Sequence, residues 1–172
     1  MNILSSFKSI HTFVFDMDGV LTDGNLYIEK EDWVRRMNTR DGYALQLAVK
    51  SGYNVVVISG SESIPVDHRL RKLGLTDIYM KITDKEGCLK DYVVKNNCKP
   101  NEILCMGDDI PDYNFMQMAG LICCPANATV EIKKISHYIS PLNGGDGCVR
   151  DVIEKVMKLN NNWPLNTSIA SI

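Results

Sequence analysis

Four short apolar runs constrain the fold of this chain more than any other feature. They are Thr12-Phe13-Val14-Phe15, Asn54-Val55-Val56-Val57-Ile58, Ile103-Leu104-Cys105-Met106 and Leu121-Ile122-Cys123-Cys124. The runs are continuous rather than alternating, which suits strands buried on both faces, as in a parallel sheet. Between them lie segments of helical period: Tyr43 to Ser51, Pro65 to Leu73, Lys85 to Lys95, Asp112 to Ala119 and Cys148 to Leu159. Pro65 fits a first helical turn, and Gly52, Gly74 and Gly120 stand where left-handed caps are expected. Strand and helix in alternation predict an α/β fold: a doubly wound, mainly parallel, Rossmann-like sheet.

One stretch breaks the alternation. Residues 25–36 hold two short β-type pieces around the charged Glu29-Lys30-Glu31-Asp32, which predicts a projecting β-hairpin. A lone two-stranded hairpin is marginal in water and needs something to pack on. No internal repeat or linker marks a second domain, so a single domain over 1–172 is expected, with a largely polar tail from Asn160 that is loose or docks on a partner subunit. A net charge of -2 argues against a nucleic-acid binder, which needs a basic excess. No apolar run approaches the roughly 20 residues that span a bilayer, so no membrane partner is expected either. The six cysteines form no C-x-x-C pair and the three histidines are scattered, which speaks against zinc and for reduced thiols in a cytoplasmic protein.

The chemistry sits at the ends of the predicted strands. Asp16-Met17-Asp18-Gly19-Val20-Leu21-Thr22-Asp23-Gly24 follows the first, and Gly107-Asp108-Asp109-Ile110-Pro111-Asp112 follows the third. In doubly wound sheets the ligand crevice lies beyond the carboxyl ends of the strands. Carboxylates converging there repel one another unless a cation intervenes, and hard oxygen ligands suit magnesium. The blander alternative is a pair of acidic turns, with Asp112 capping the next helix. We expect Asp112 to do part of that while Asp108 and Asp109 face the metal. Ser59-Gly60 closes the second strand in a turn able to cradle an anion, and Lys85 opens a predicted helix.

The ordered set, D-x-D, then Ser, then Lys, then G-D-D, resembles the haloacid dehalogenase superfamily of phosphotransferases from about Thr12 to about Leu159. The resemblance implies Asp16 as nucleophile and Asp18 as general acid and base. It implies magnesium held by Asp16, the Asp18 backbone carbonyl and Asp108, with Asp109 close by. Ser59, Gly60 and Lys85 would hold the phosphoryl oxygens. The intervals from Asp18 to Ser59 and from Ser59 to Lys85 are too short for an extra folded cap, so no cap domain is expected.

Thr22-Asp23-Gly24, the hairpin, Arg40-Asp41-Gly42-Tyr43 and Gly144-Gly145-Asp146-Gly147 narrow the resemblance to the capless sugar-acid phosphatases. That group implies a homotetramer with shared active sites and a small sugar-acid phosphate as substrate: an octulosonate 8-phosphate or, alternatively, a nonulosonate 9-phosphate. Ser61 and Asp146 depart from the octulosonate pattern, each removing a cation that could pair with the sugar acid's carboxylate. Arg40, Arg69, Lys72 and Asp146 remain as candidate substrate residues. Two competing classes are a phosphorelay receiver, disfavoured because its phosphoacceptor stands alone after the acidic pair, and an inactive oligomerisation module, disfavoured by the intact Asp16, Asp18, Ser59, Lys85 and Asp108.

Overall fold

The computed structural model describes residues 2–29, 32–165 and 168–169. A short helix, α1 (Ile3–Lys8), is capped by Asn2, whose side chain accepts a hydrogen bond from the Leu4 N–H. Strand β1 (Thr12–Phe15) leads into a tight turn through Met17–Leu21, then into a hairpin of β2 (Tyr27–Glu29) and β3 (Asp32–Val34). Next come α2 (Thr39–Lys50), β4 (Asn54–Ile58), α3 (Ile64–Lys72), β5 (Asp77–Tyr79), α4 (Lys85–Asn96) and β6 (Ile103–Met106). The chain continues with α5 (Tyr113–Met116), β7 (Leu121–Cys124), α6 (Val130–Ile135), β8 (Tyr138–Ile139) and α7 (Cys148–Leu159).

Six strands form one sheet in the order β5-β4-β1-β6-β7-β8, and every neighbouring pair is parallel. The apolar runs explain why. Phe13, Phe15, Val55, Val57, Leu104 and Met106 point to one face, where they meet α1, α2, α3 and α7; Val14, Val56, Ile58, Ile103 and Cys105 point to the other, among side chains of α4, α5 and α6. Burial on both faces leaves no room for polar alternation. After β5 the chain crosses to the far side of β1 to form β6, so the loops leaving β1 and β6 part at the topological switch point. The two acidic loops are those two.

The four sequence runs coincide with β1, β4, β6 and β7. The expected hairpin is present and antiparallel, joined at its base by a bridge between Thr22 and Met37; Lys30 and Glu31 of its turn lie outside the described residues. Between β1 and α2 the described residues hold the Met17–Leu21 turn and this hairpin, and between β4 and α4 only α3 and β5, so the fold is capless. Other expectations change. The second helix starts at Thr39, four residues before Tyr43, because the Asn38 side chain accepts from the Arg40 N–H. The helix expected over Asp112 to Ala119 is a single turn, α5, since beyond it the N–H groups of Gln117, Met118 and Ala119 bond three residues back rather than four.

Gly52 and Gly74 take the left-handed conformation expected of caps, but Gly120 does not. Gly120 is required by contact instead: a Cβ there would lie 2.6 Å from the Asn101 Cα. In the tail, Asn162 donates to the Tyr53 hydroxyl, and the Trp163 ring lies 5.3 Å from the Arg150 guanidinium carbon. The tail residues 166–167 and 170–172 lie outside the described residues. All six cysteines are free thiols, and no described helix is long and apolar enough to cross a membrane.

Candidate active site

The site has a floor built of buried charge. Asp16 leaves β1 with its N–H bonded to the Met106 carbonyl of β6, which pins the two acidic loops side by side. Lys85, on the first turn of α4, donates to Asp16 Oδ1 and to Asp112 Oδ1, each at 2.6 Å. Asp84 sets that turn by accepting from the Gly87 N–H. Carboxylate oxygens of Asp16, Asp108 and Asp112 lie within 4.8 Å of one another. Gly19, at φ +89°, permits this crowding, since a Cβ there would sit 2.1 Å from Asp108 Oδ2. Ser59 and Gly60, at the end of β4, close the same cavity of about 330 Å³.

Three carboxylates share one ammonium here. Burial, then the neighbouring charge of Asp112, raises Asp16 far above the ordinary carboxylate range despite the pull of Lys85. Burial, followed by the charges of Asp112 and Asp109, pushes Asp108 up to about 7. Lys85 shifts upward, because Asp16 and Asp112 outweigh the cost of its burial, so it stays charged. The pocket is short of positive charge and offers only hard oxygen donors, and both properties fit a magnesium ion.

The mouth is organised differently. Asp18, two residues from Asp16, turns toward the hairpin. Its Oδ1 accepts from Arg35 Nε at 2.7 Å, and its Oδ2 accepts from Arg35 Nη2 at 3.1 Å and from the Ser61 hydroxyl at 2.6 Å. Burial pushes the Asp18 carboxyl up, but the hydrogen bonds from Arg35 and Ser61 and the Arg35 charge outweigh it, leaving it below the usual range. Asp18 thus differs from Asp16, whose carboxyl is raised. The i, i+2 spacing and the Gly19 turn send its side chain to a cation instead.

A third loop backs the first. Gly145 N–H donates to the Val20 carbonyl, and a Cβ on Gly144 would lie 1.7 Å from the Gly19 carbonyl oxygen. The glycine-rich segment is therefore backbone packed on backbone, holding the D-x-D turn from behind. Asp41, from the Arg40-Asp41-Gly42-Tyr43 motif, accepts from the Arg150 N–H at 2.7 Å and so caps α7, and burial raises its carboxyl to about 6.

The sequence-predicted residues divide on inspection. Asp16, Asp18, Ser59, Gly60, Lys85 and Asp108 all line the one cavity. Asp109 and Asp112 exchange the parts expected of them. Asp109 also borders the cavity, but its Oδ1 caps the turn by accepting from Ile110 N–H, while Asp112 is buried and takes the inward position, its Oδ2 accepting from Asp108 N–H. Asp146 and Arg40 line a separate cleft beside α7, with Asp146 bound to Arg36 at 2.8 Å. Lys72 is exposed on α3. Arg69 faces a cleft of about 670 Å³ between the hairpin and α3, bordered by Arg35. The reading by sequence missed Arg35 and Asp112. Arg35 has no local signal that separates it from Arg36, and Asp112 was assigned to the helix it precedes.

An open parallel sheet with two acidic loops and a lysine at its switch point defines a class, and the comparisons agree on it. A family model of haloacid dehalogenase-like hydrolases matches residues 70–153, and the chain belongs to that family. Among its relatives, the 3-deoxy-D-manno-octulosonate 8-phosphate phosphatase of Yersinia pestis is 27% identical over 157 residues, covering 91% of this chain and 84% of the relative. The Escherichia coli K12 phosphatase of the same description is 29% identical over the same shares. A crystal structure of the Moraxella catarrhalis phosphatase, in complex with magnesium ion, phosphate ion and KDO, superposes with a TM-score of 0.89 at 32% identity, covering 93% of this chain and 92% of that one.

Proposed function

We propose that this chain is a magnesium-dependent phosphatase that hydrolyses a sugar-acid phosphate monoester, 3-deoxy-D-manno-octulosonate 8-phosphate, through a phosphoryl group carried on Asp16. The observation that carries the reading is the Asp16 carboxylate at the switch point, held by Lys85 and facing Asp108 across the Gly19 turn. Relatives and a structural neighbour described as acting on or binding that sugar acid support the substrate.

Asp16 attacks phosphorus as the bond to the sugar oxygen breaks, and Asp18, once freed from Arg35 and protonated from solvent, passes that proton to the oxygen. Water then attacks the phosphoaspartate while Asp18, now a carboxylate, takes its proton, which regenerates Asp16. A carboxylate is a poor nucleophile toward a phosphate dianion until the charges are offset. Lys85 supplies one cation and the Ser59 hydroxyl with the Gly60 N–H cradles the anion. Asp16, Asp108 and the Asp18 backbone carbonyl would hold magnesium, which would supply further neutralisation of charge on the transferring oxygens. Asp112 positions Lys85 and the Asp108 backbone rather than reacting.

Asp146, one of the two departures from the octulosonate pattern, is paired with Arg36 at 2.8 Å. Tyr27, Ile28, Trp33 and Val34 on the hairpin are all about half exposed or more. That exposed apolar surface supports a homotetramer in which a neighbour covers it and completes the open site. The buried free thiols suit a cytoplasmic protein. The test compares kcat/KM for 3-deoxy-D-manno-octulosonate 8-phosphate and a nonulosonate 9-phosphate, with the oligomer measured by sedimentation on the same preparation. Preference for the octulosonate ester by a tetramer is the expected result. Preference for the nine-carbon ester would overturn the substrate, and a monomer at micromolar concentration the assembly.

A further inference from the structure

Ser61 provides a hydroxyl where a cation could meet the sugar acid's carboxylate, and the structure returns a cation to that point from another element. Arg35 reaches across from the base of the hairpin, its Nη2 donating to Ser61 Oγ at 3.2 Å as well as to Asp18, and its Nη1 donating to the Trp33 carbonyl at 3.3 Å. The side chain is only 2% exposed. The guanidinium stands between two spaces: the phosphoryl pocket, through Asp18 and Ser61, and the cleft between the hairpin and α3. A second guanidinium opens on the same cleft, where Arg69 Nη2 is buried and has no hydrogen-bond partner among the described residues. It is brought there by Gly42, whose missing Cβ would lie 2.9 Å from that nitrogen.

Two features of this arrangement point to a ligand. Arg35 already holds one carboxylate in a two-pronged pair, and Arg69 brings a buried, unpaired nitrogen to the same cleft; a carboxylate is what a guanidinium fork is shaped to accept. A second carboxylate of the same geometry can therefore replace the first. We propose that Arg35 is a specificity-determining residue that holds Asp18 while no substrate is bound and exchanges it for the carboxylate of the incoming sugar acid, which lies in the hairpin–α3 cleft with Arg69. The inference rests on the function proposed above and names the part of the chain that reads the acid. It also gives the hairpin a role inside its own subunit, as the element that carries the group reading the acid.

The experiment compares wild type, Arg35→Gln and Arg35→Lys on two substrates, 3-deoxy-D-manno-octulosonate 8-phosphate and a hexose 6-phosphate. Both lose a primary alkoxide, and only the first carries a carboxylate. Loss of a charged hydrogen-bonded contact corresponds to a rise in KM of roughly 10- to 100-fold, so Arg35→Gln should raise KM for the octulosonate ester by that amount. The effect on the hexose ester should be at least ten times smaller. Arg35→Lys keeps the charge but not the fork and should recover part of the difference; it carries the test if the Gln variant does not fold. Equal loss on both substrates, in kcat and KM alike, would overturn the proposal, because Arg35 would then act only by packing or through Asp18. No loss on either would overturn it too. A wild-type protein that ignores the octulosonate ester and cleaves the hexose ester would sink the substrate reading before any variant is made.

Discussion

Asp16 and Asp18 are two residues apart in one turn, yet they sit in opposite electrostatic settings. On the floor, Asp16 is 7% exposed at its side chain and shares Lys85 with Asp112, so negative charge is in excess and its protonated form is favoured. At the mouth, Asp18 is 33% exposed and has Arg35 to itself, so its charged form is favoured. The floor cannot be made comfortable by protein alone, because further lysines would block the phosphoryl group. A mobile divalent ion can do it and still leave an open coordination face. The mouth can be satisfied by protein alone, and it is, at the cost of engaging a group that must later be free.

The comparison can be broken in three places. The largest effect is expected at the floor. Asp16→Asn keeps size and shape but removes the proposed nucleophile, and turnover should fall by about four orders of magnitude or more with an unchanged far-ultraviolet circular dichroism spectrum. Retained phosphate release in that variant would remove Asp16 from the mechanism. Next is the glycine loop behind both groups. Gly144→Ala places a methyl against the Gly19 backbone, which cannot yield as a side-chain tip would. A loss of about 2 kcal/mol, read by urea unfolding, should accompany reduced turnover; full stability would mean that the loop is free to shift.

The smallest effect concerns pH and has opposite signs in the two regions. Asp16 and Asp108 have folded values raised above their unfolded ones. Their contribution to stability is therefore full below about pH 4 and lost as pH rises through about 7 for Asp108 and about 8 for Asp16. Asp18 is lowered, so its contribution is present above the unfolded value and lost as pH falls through the folded one. In a chelator, then, thermal stability should fall by a few degrees between pH 6 and pH 8.5, and added magnesium should restore it. A chelated protein with a flat profile across that range would show that the floor carboxylates do not crowd one another in solution.

Much of this was legible before any coordinates. β1, β4, β6 and β7 were marked by continuous β-branched and aromatic runs, because strands covered on both faces cannot tolerate polar alternation. The D-x-D and G-D-D turns were marked by position, since carboxylates at strand ends need a partner. What escaped notice was held by distant contacts. α1 is six residues long and α6 is six, too short to persist without Phe7 and Ile132 anchoring them in the core. β8 has two residues and exists because β7 offers it an edge.

By itself the sequence determined the layered sheet, the two acidic loops at its rim and the lysine between them, because hydrophobic period and turn chemistry act over a few residues. Only the tertiary structure decided which aspartates look inward, that Arg35 rather than Arg36 meets Asp18, and that Gly144 backs the turn after Asp16. Those choices depend on groups brought together from 17 to more than 100 positions away, and no local pattern records such distances. Charge pairing in a buried site is settled by geometry after the chain has folded, not by the order of its residues.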